Sequence, residues 1–381
     1  MKVIILKNKL KEGVDLVNRI PIKSINLPIL NNILISTKKN FLTLISTDLE
    51  LGIKWQILTK VDKEGEVVIP AKLLANFINF LPDKQIILEK EGLDLKITCE
   101  NYQTVIKGYN PEEFPIFPQV SDKEKIEVPI NLLCQGINSV VNITSPSSIK
   151  PEISGVYFSF QKKLAIVTAT DSFRLGEKKI FLDSLNQVNG YSFILPQRAA
   201  KEVVNIFGEK EGNLAIYFSP NQVLFKTALE EVSQPEIQFI SRLIEGDFPA
   251  YQEIIPTKYE TTLILPINEL INQIKIASLF SGKTNEIKLK IEPAKNQLKI
   301  FSQNLDVGEH QSLIIGQIKG KPLEISFNHR FLLDGLLNLN SLSQQKNTEV
   351  VFNLINSEKP AVLKLKDDDS YLYLVMPIKS V

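Results

Sequence analysis

A chain of 381 residues, 44% hydrophobic and 23% charged, holds material for two or three buried cores of about 100–200 residues each. No apolar run reaches the roughly 18 residues that a membrane span needs. Forty-four Lys and Arg against 43 Asp and Glu leave a net charge of +1, less basic than is usual for a protein that grips DNA tightly along a groove; either nucleic acid is not the partner, or the contact is loose and confined to one face.

In chain order, Met1-Lys2-Val3-Ile4-Ile5-Leu6-Lys7 is charged too early for a signal peptide and reads as a strand, followed by an amphipathic helix over 8–20. Phe41-Leu42-Thr43-Leu44-Ile45-Ser46 alternates as a half-buried strand does. Val67-Val68-Ile69-Pro70 leads into a helix over 71–81, with Pro near the first turn, where its missing N–H costs nothing. The polar stretch 119–125 then marks a boundary. Glu127-Val128-Pro129-Ile130-Asn131-Leu132-Leu133 opens a second helix-bearing unit, and it recurs as Ile264-Leu265-Pro266-Ile267-Asn268-Glu269-Leu270 after a second boundary at 257–261. Asn8, Asn131 and Asn268 stand where a side-chain N-cap is expected. Phe193-Ile194-Leu195-Pro196 precedes a helix over 197–207, and Leu323-Glu324-Ile325-Ser326-Phe327-Asn328 one over 329–339. Glu113-Phe114-Pro115 and Asp247-Phe248-Pro249 close the first two units alike. The chain is thus an α+β protein of three repeats, each with two helices packed on antiparallel strands, with expected limits 1–121, 122–258 and 259–381.

Catalytic apparatus is sparse. The two histidines, His310 and His329, occupy unrelated contexts, and His329 at a helix start reads as a surface or capping residue. There is no GxSxG elbow, no HExxH and no Cys/His pair. Ser281-Gly282-Lys283-Thr284 imitates the tail of a phosphate-binding loop, but Ala277 stands where that loop needs glycine, so the stretch reads as a polar turn. Asp367-Asp368-Asp369 lacks the alternating ligand spacing of a calcium loop and reads as a solvated turn. Cys99 and Cys134, with no CxxC pair, give neither a disulfide framework nor a zinc site and point to a reducing, cytoplasmic compartment. No metal, no cofactor and no enzymatic activity are expected.

Five motifs in order carry a resemblance: Leu27-Pro28-Ile29-Leu30-Asn31-Asn32, Thr47-Asp48-Leu49-Glu50, Ala169-Thr170-Asp171-Ser172-Phe173-Arg174-Leu175, Gly246-Asp247-Phe248-Pro249-Ala250-Tyr251 and Tyr373-Leu374-Val375-Met376-Pro377-Ile378. Together, on a threefold repeat, they resemble the β subunit of bacterial DNA polymerase III, the sliding clamp. The resemblance implies a head-to-tail homodimer forming a six-domain ring around duplex DNA, with helices lining the hole. It also implies a non-catalytic processivity factor that tethers the replicative polymerase, and partners that include the clamp loader and other proteins carrying a clamp-binding peptide. The setting implied is the cytoplasm, at the nucleoid. The alternative is a peptide-binding scaffold of the same fold that never encircles DNA.

The six expected helices carry eight Lys or Arg and five Asp or Glu, which is +3 against −2 for the remainder. Lys72, Asn76 and Asn79 share one acid-free helical face, and Arg198 with Lys201 forms a second basic face suited to phosphate contact. The resemblance adds Lys23, Ser24, Ser147 and Lys150 as DNA contacts. It places the peptide-binding cleft at Ile153, Thr170, Phe173, Arg174, Leu175, Pro249, Ile254, Val362, Met376, Pro377 and Ile378, with Arg174 free to orient a peptide carbonyl or carboxylate. It places the dimer contact at Ile106 against Leu279 and Phe280. Thr104, Ser172-Phe173 and Glu253 depart from the residues common in the family.

Overall fold

A computed structural model of the chain describes residues 1–21, 26–118, 120, 125–146, 149–182, 190–227, 236–343 and 348–379. Lys23, Ser24, Ser147 and most of the expected boundary at 119–125 lie outside these residues. Among the described residues there are six α-helices: α1 Lys7–Val17, α2 Ala71–Phe80, α3 Ile130–Val140, α4 Gln197–Phe207, α5 Ile267–Ser278 and α6 His329–Leu342. The three repeats share one order of elements: a strand, a helix, three strands, a fourth strand that leads into the second helix, and three more strands. Repeats one and three each carry one additional short strand, Lys60–Lys63 and Gln317–Gly320. Among the described residues every strand pair is antiparallel, as expected for an α+β chain built from hairpins.

The chain divides into two compact units. The first holds Met1–Cys134 and Lys201–Leu243, and the second holds Gln135–Asp183, Asn189–Ala200 and Ile244–Val381. In the first unit, a five-stranded sheet runs Lys60–Lys63, Lys2–Leu6, Gln85–Glu91, Asp94–Cys99, Tyr102–Ile106, leaving Tyr102–Ile106 as an edge. An eight-stranded sheet in the same unit joins strands of repeats one and two, because Glu236–Arg242 pairs with Leu51–Leu58. In the second unit, a nine-stranded sheet joins repeats two and three through Arg174–Phe181 and Asp368–Val375. A four-stranded sheet there ends on the edge strand Gly308–Ile315. Both junctions follow one rule: the last strand of a repeat pairs with the strand three places after the first helix of the repeat before it.

The helix starts correct one expectation. Asn8, Asn131 and Asn268 are each the second residue of their helix, not the cap. Leu6 and Pro266 stand at the cap positions of α1 and α5 without a side-chain hydrogen bond. The strand runs straight into the helix, so the first helical amide lands beside a loop carbonyl: Lys7 N–H donates to Lys84 (2.9 Å), Ile130 to Gly212 (3.0 Å) and Ile267 to Thr348 (3.0 Å). A backbone acceptor from the next strand thus satisfies the amide that a side chain would otherwise cap. Asn328 caps α6 in the ordinary way, accepting from Arg330 N–H at 3.0 Å.

Each helix buries one face on its sheet. Gly13 of α1 lies against Trp55, and Gly335 of α6 against Tyr373, so the missing side chain lets helix and aromatic ring approach closely. His329 is buried, not exposed as its position at a helix start suggests. Its backbone N–H donates to Asn285 (2.8 Å), and burial, with Arg330 beside it, lowers the imidazole pKa. Cys99 and Cys134 are free and buried. Burial pushes the Cys134 thiol up to about 11.

Candidate functional site

The second unit carries an apolar surface built from two elements that the sequence separates widely. Strand Arg174–Phe181 lies beside Asp368–Val375 with Leu175 opposite Leu374. Leu175, Leu374, Val362 and Tyr251 form a buried cluster, and Tyr157, Phe248, Ile255, Tyr259, Leu372 and Met376 pack on it partly exposed. Tyr157 and Phe248 stack at 4.8 Å between centroids, and Tyr251 meets both rings edge-on at 6.5 and 6.0 Å. The Tyr251 hydroxyl donates to Glu177 at 2.6 Å and accepts from Thr168 at 3.2 Å, which ties the turn Tyr251–Ile254 to the sheet. Burial and the bond to Glu177 raise the phenol pKa, so Tyr251 stays neutral and serves as a fixed wall.

Of the cleft residues expected from the sequence, Leu175, Val362 and Met376 belong to this cluster. Phe173 is 60% exposed and Ile254 51% exposed, and Pro249 is exposed one turn before Ile254. Ile153 is buried at the end of the turn Pro151–Ile153, which leads into the strand bearing Tyr157. Met376, Pro377 and Ile378 are half-buried, and the tail is pinned by Met376 N–H to Phe173 carbonyl and Ile378 N–H to Ser326 carbonyl, both 2.8 Å.

Thr170 acts through the turn. Its hydroxyl donates to the Arg174 carbonyl (2.7 Å) and accepts from Ser172 N–H (3.2 Å). Asp171 accepts from Phe173 and Arg174 N–H, both 2.9 Å, and Ser172 takes φ 75°. Thr47-Asp48-Leu49-Glu50-Leu51 makes the same turn in repeat one, with Leu49 at φ 76°.

Arg174 is engaged within the chain. Its guanidinium donates to Asp171 (2.9 Å), Asp334 and the Asn142 carbonyl (3.4 Å), and it lies 4.7 Å from the Phe331 ring centroid. Only 11% of the side chain is exposed. Burial disfavours its charge, but Tyr373, Asp171 and Asp334 hold the group firmly protonated. Arg174 therefore organises the floor of the cluster and supports the Phe173–Phe331 stack at 6.2 Å.

Sequence reasoning missed Tyr157, Phe248, Tyr251, Leu374, Phe331 and Asp334. Phe248 and Tyr251 stand inside the Gly-Asp-Phe-Pro-Ala-Tyr motif, and Leu374 inside the tail motif, which were the available signals. Phe331 and Asp334 lie on a helix surface with no local signature.

Elsewhere, Lys72, Asn76 and Asn79 are exposed on α2, and Asn79 accepts from Lys11. Arg198 and Lys201 are exposed on α4, and Lys150 is exposed. Ile106 is buried at the end of the edge strand Tyr102–Ile106. Leu279, just past α5, is 70% exposed, and Phe280 stacks on His310 of the edge strand Gly308–Ile315 at 5.6 Å. Among the described residues no group of three His, Cys, Asp or Glu could hold a metal ion, and no helix is long and apolar enough to cross a membrane.

Three family models match in order: the N-terminal domain of the DNA polymerase III β subunit over residues 1–118, its central domain over 127–250 and its C-terminal domain over 252–379. The chain is 30% identical over 364 residues to the beta sliding clamp of Staphylococcus aureus, covering 93% of each. It superposes on the DNA polymerase sliding clamp of Bacillus subtilis with a TM-score of 0.91, 25% identity and full coverage of both chains. The Pseudomonas aeruginosa DNA polymerase III β subunit gives 0.92 at 22% identity, again over the whole of both chains, and so bears on the fold alone. With three domain models in register from the first strand to the tail, the chain belongs to the DNA polymerase III β-subunit family, the β sliding clamps.

Proposed function

We propose that the protein is a DNA polymerase processivity factor that acts without catalysis, as a closed ring of two copies around duplex DNA. The observation that carries the reading is the strand-pairing rule. Each junction inside the chain joins the last strand of one repeat to the strand three places after the first helix of the preceding repeat. Tyr102–Ile106, the last strand of repeat one, and Gly308–Ile315, the strand three places after the first helix of repeat three, both lie at sheet edges and are by that rule the matching partners for one further junction. Two copies joined head to tail use both edges twice, a heterologous contact that closes on itself and leaves neither strand open. On this reading the domains are 1–121, 122–258 and 259–381.

The +3 of the six helical segments, against −2 for the rest, supports loose, sequence-independent contact with phosphates through Lys72, Arg198, Lys201 and Lys150. Lys23, Ser24 and Ser147 extend that proposal to segments outside the described residues. Encirclement replaces affinity: a polymerase held by the ring stays at high effective concentration near the template. Over the buried cluster, half-buried Tyr157, Phe248 and Met376 with exposed Phe173 and Ile254 suit a short peptide with a few apolar anchors, which binds weakly and exchanges readily among polymerase, loader and other partners. The setting is the cytoplasm, at the nucleoid.

The test is topological. Loaded by a clamp loader and ATP onto nicked circular duplex, the protein stays on the circle in moderate salt and runs off once the DNA is linearised. Equal loss from circular and linear DNA would make it a peptide-binding scaffold instead.

A further inference from the structure

Lys2–Leu6 and Leu51–Leu58 belong to different sheets of the first unit, and the chain crosses from one sheet to the other at Thr59. Lys60–Lys63 then pairs with Lys2–Leu6, and that pairing stops with Ile4 opposite Lys60. Past it lies a half-open cavity of about 330 Å³. Leu6 and Leu58, 51% and 44% exposed, line it together with the buried Ile5 and Ile57. Its polar lining is Lys9, Lys60, Thr59 and Gln85, with no acid among them.

Neither lysine is firmly paired inside the chain. Lys9 lies 4.0 Å from one oxygen of Glu12, whose other oxygen accepts from Lys210 at 2.7 Å, and Lys60 lies 4.0 Å from Asp62. Ion pairs this long at a protein surface contribute little, so both ammonium groups are available to an anion.

The same turn in repeat three is built differently. Thr59 and Gly316 are equivalent, since Thr59 N–H donates to the Asn40 carbonyl (2.8 Å) and Gly316 N–H to the Asn296 carbonyl (3.1 Å). The residue after each, Lys60 or Gln317, pairs with Ile4 or Ile264. Thr59 spends its hydroxyl on the Ile4 carbonyl at 2.7 Å. A Cβ at Gly316 would stand 2.6 Å from the Ile264 carbonyl oxygen and 2.4 Å from Leu265 Cδ2, so Leu265 packs on bare backbone and fills the space a side chain would take. Glu269 is third in α5 as Lys9 is third in α1, and Leu132 is third in α3. Two lysines over an apolar wedge are thus particular to repeat one.

We propose that this wedge binds a carboxylate carried on a compact apolar group, and that its occupant is the C-terminus of a partner polypeptide ending in leucine, isoleucine or phenylalanine. The cavity lies at the lower end of the range for small-ligand sites, which suits one or two apolar side chains and excludes a long acyl chain. Burial against Leu6, Leu58, Ile5 and Ile57 supplies affinity, and the two ammonium groups select the carboxylate through charge-assisted hydrogen bonds. A contact this small is weak by itself and gains from a partner already held elsewhere on the protein. The site uses none of the residues placed in the apolar surface around Leu175 or in phosphate contact, so it stands apart from the ring reading.

The probe is the peptide N-acetyl-Gly-Ser-Leu-Leu with a free C-terminal carboxylate, against the same peptide as its C-terminal amide, followed by methyl NMR of the full chain. The acid should shift the methyl signals of Ile5, Leu6, Ile57 and Leu58 and bind about tenfold more tightly than the amide. Lys9→Ala/Lys60→Ala changes two solvent-facing side chains, should leave the melting midpoint in place, and should abolish the preference for the acid. Phe173→Ala, in the second unit, should leave that preference intact. Equal binding of acid and amide, a preference that survives Lys9→Ala/Lys60→Ala, or shifts confined to Met376 would overturn the proposal. Inorganic phosphate competing as well as the acid would overturn it too, since the apolar walls would then contribute nothing. None of these outcomes alters retention on circular DNA, which tests the ring separately.

Discussion

Gly335 shows how narrowly single residues are constrained here. A methyl group at its Cβ would strike the ring of Tyr373, itself fully buried with its hydroxyl donating to the Phe331 carbonyl at 2.7 Å. Because the ring is held at both ends, Gly335→Ala should lower stability by about 1–3 kcal/mol, the range for overpacking, read from the urea midpoint. His329 supplies a pH dependence. Its folded pKa is lowered from 6.5, first by burial and then by Arg330, so the unfolded chain takes up a proton before the folded one does. Stability is full above pH 6.5 and falls as pH drops from there toward the depressed folded value. His329→Leu should flatten that part of the stability profile without shifting the neutral plateau downward; an unchanged acid limb would assign it to other groups.

At the scale of elements, the tail and the Thr-Asp turn act together. Met376 N–H is bonded to the Phe173 carbonyl, so the segment after Val375 and the turn before Leu175 form one wall of the apolar surface. Deleting 376–381 removes that bond and the one from Ile378 to Ser326, but leaves every pair between Arg174–Lys178 and Tyr371–Val375. The truncated protein should fold, with far-ultraviolet dichroism unchanged, and lose binding of an apolar polymerase-tail peptide in fluorescence anisotropy. Phe173→Ala removes an exposed ring stacked on Phe331. It should move the melting midpoint little, as surface changes do, and weaken the same peptide about tenfold. Peptide binding retained by both variants would place the docking surface elsewhere.

For the whole molecule, contact and encirclement make separable contributions. The triple variant Lys72→Ala/Arg198→Ala/Lys201→Ala takes three exposed cations from α2 and α4. If each meets a phosphate, the slope of log affinity against log salt should fall by about 0.9 per contact on linear duplex. Retention on a closed circle should stay near the native level, because a closed ring need not grip to remain. Loss of circular retention in parallel with linear affinity would mean that the charges, not the ring, hold the DNA.

How much of this was legible in the sequence follows from the range over which each interaction acts. Strands and helices alternate in a pattern set by local side-chain periodicity, and copies of one pattern at 127–133 and 264–270 exposed the threefold plan. The Thr-Asp turn was equally local, since its four hydrogen bonds join residues within four positions of one another. The sequence did not reveal what caps α1, α3 and α5, because the acceptors at Lys84, Gly212 and Thr348 are brought in by strand pairing from some 77 to 82 residues away. Nor did it reveal that Arg174 is spent on Asp334 and Phe331, about 160 positions further along the chain. The register of the two junctions belongs to the tertiary structure too: antiparallel pairing fixes which residues face each other only once the sheets have formed. Sequence by itself determined the repeats, their elements and the family; the tertiary structure decided which side chains remain free to meet a partner.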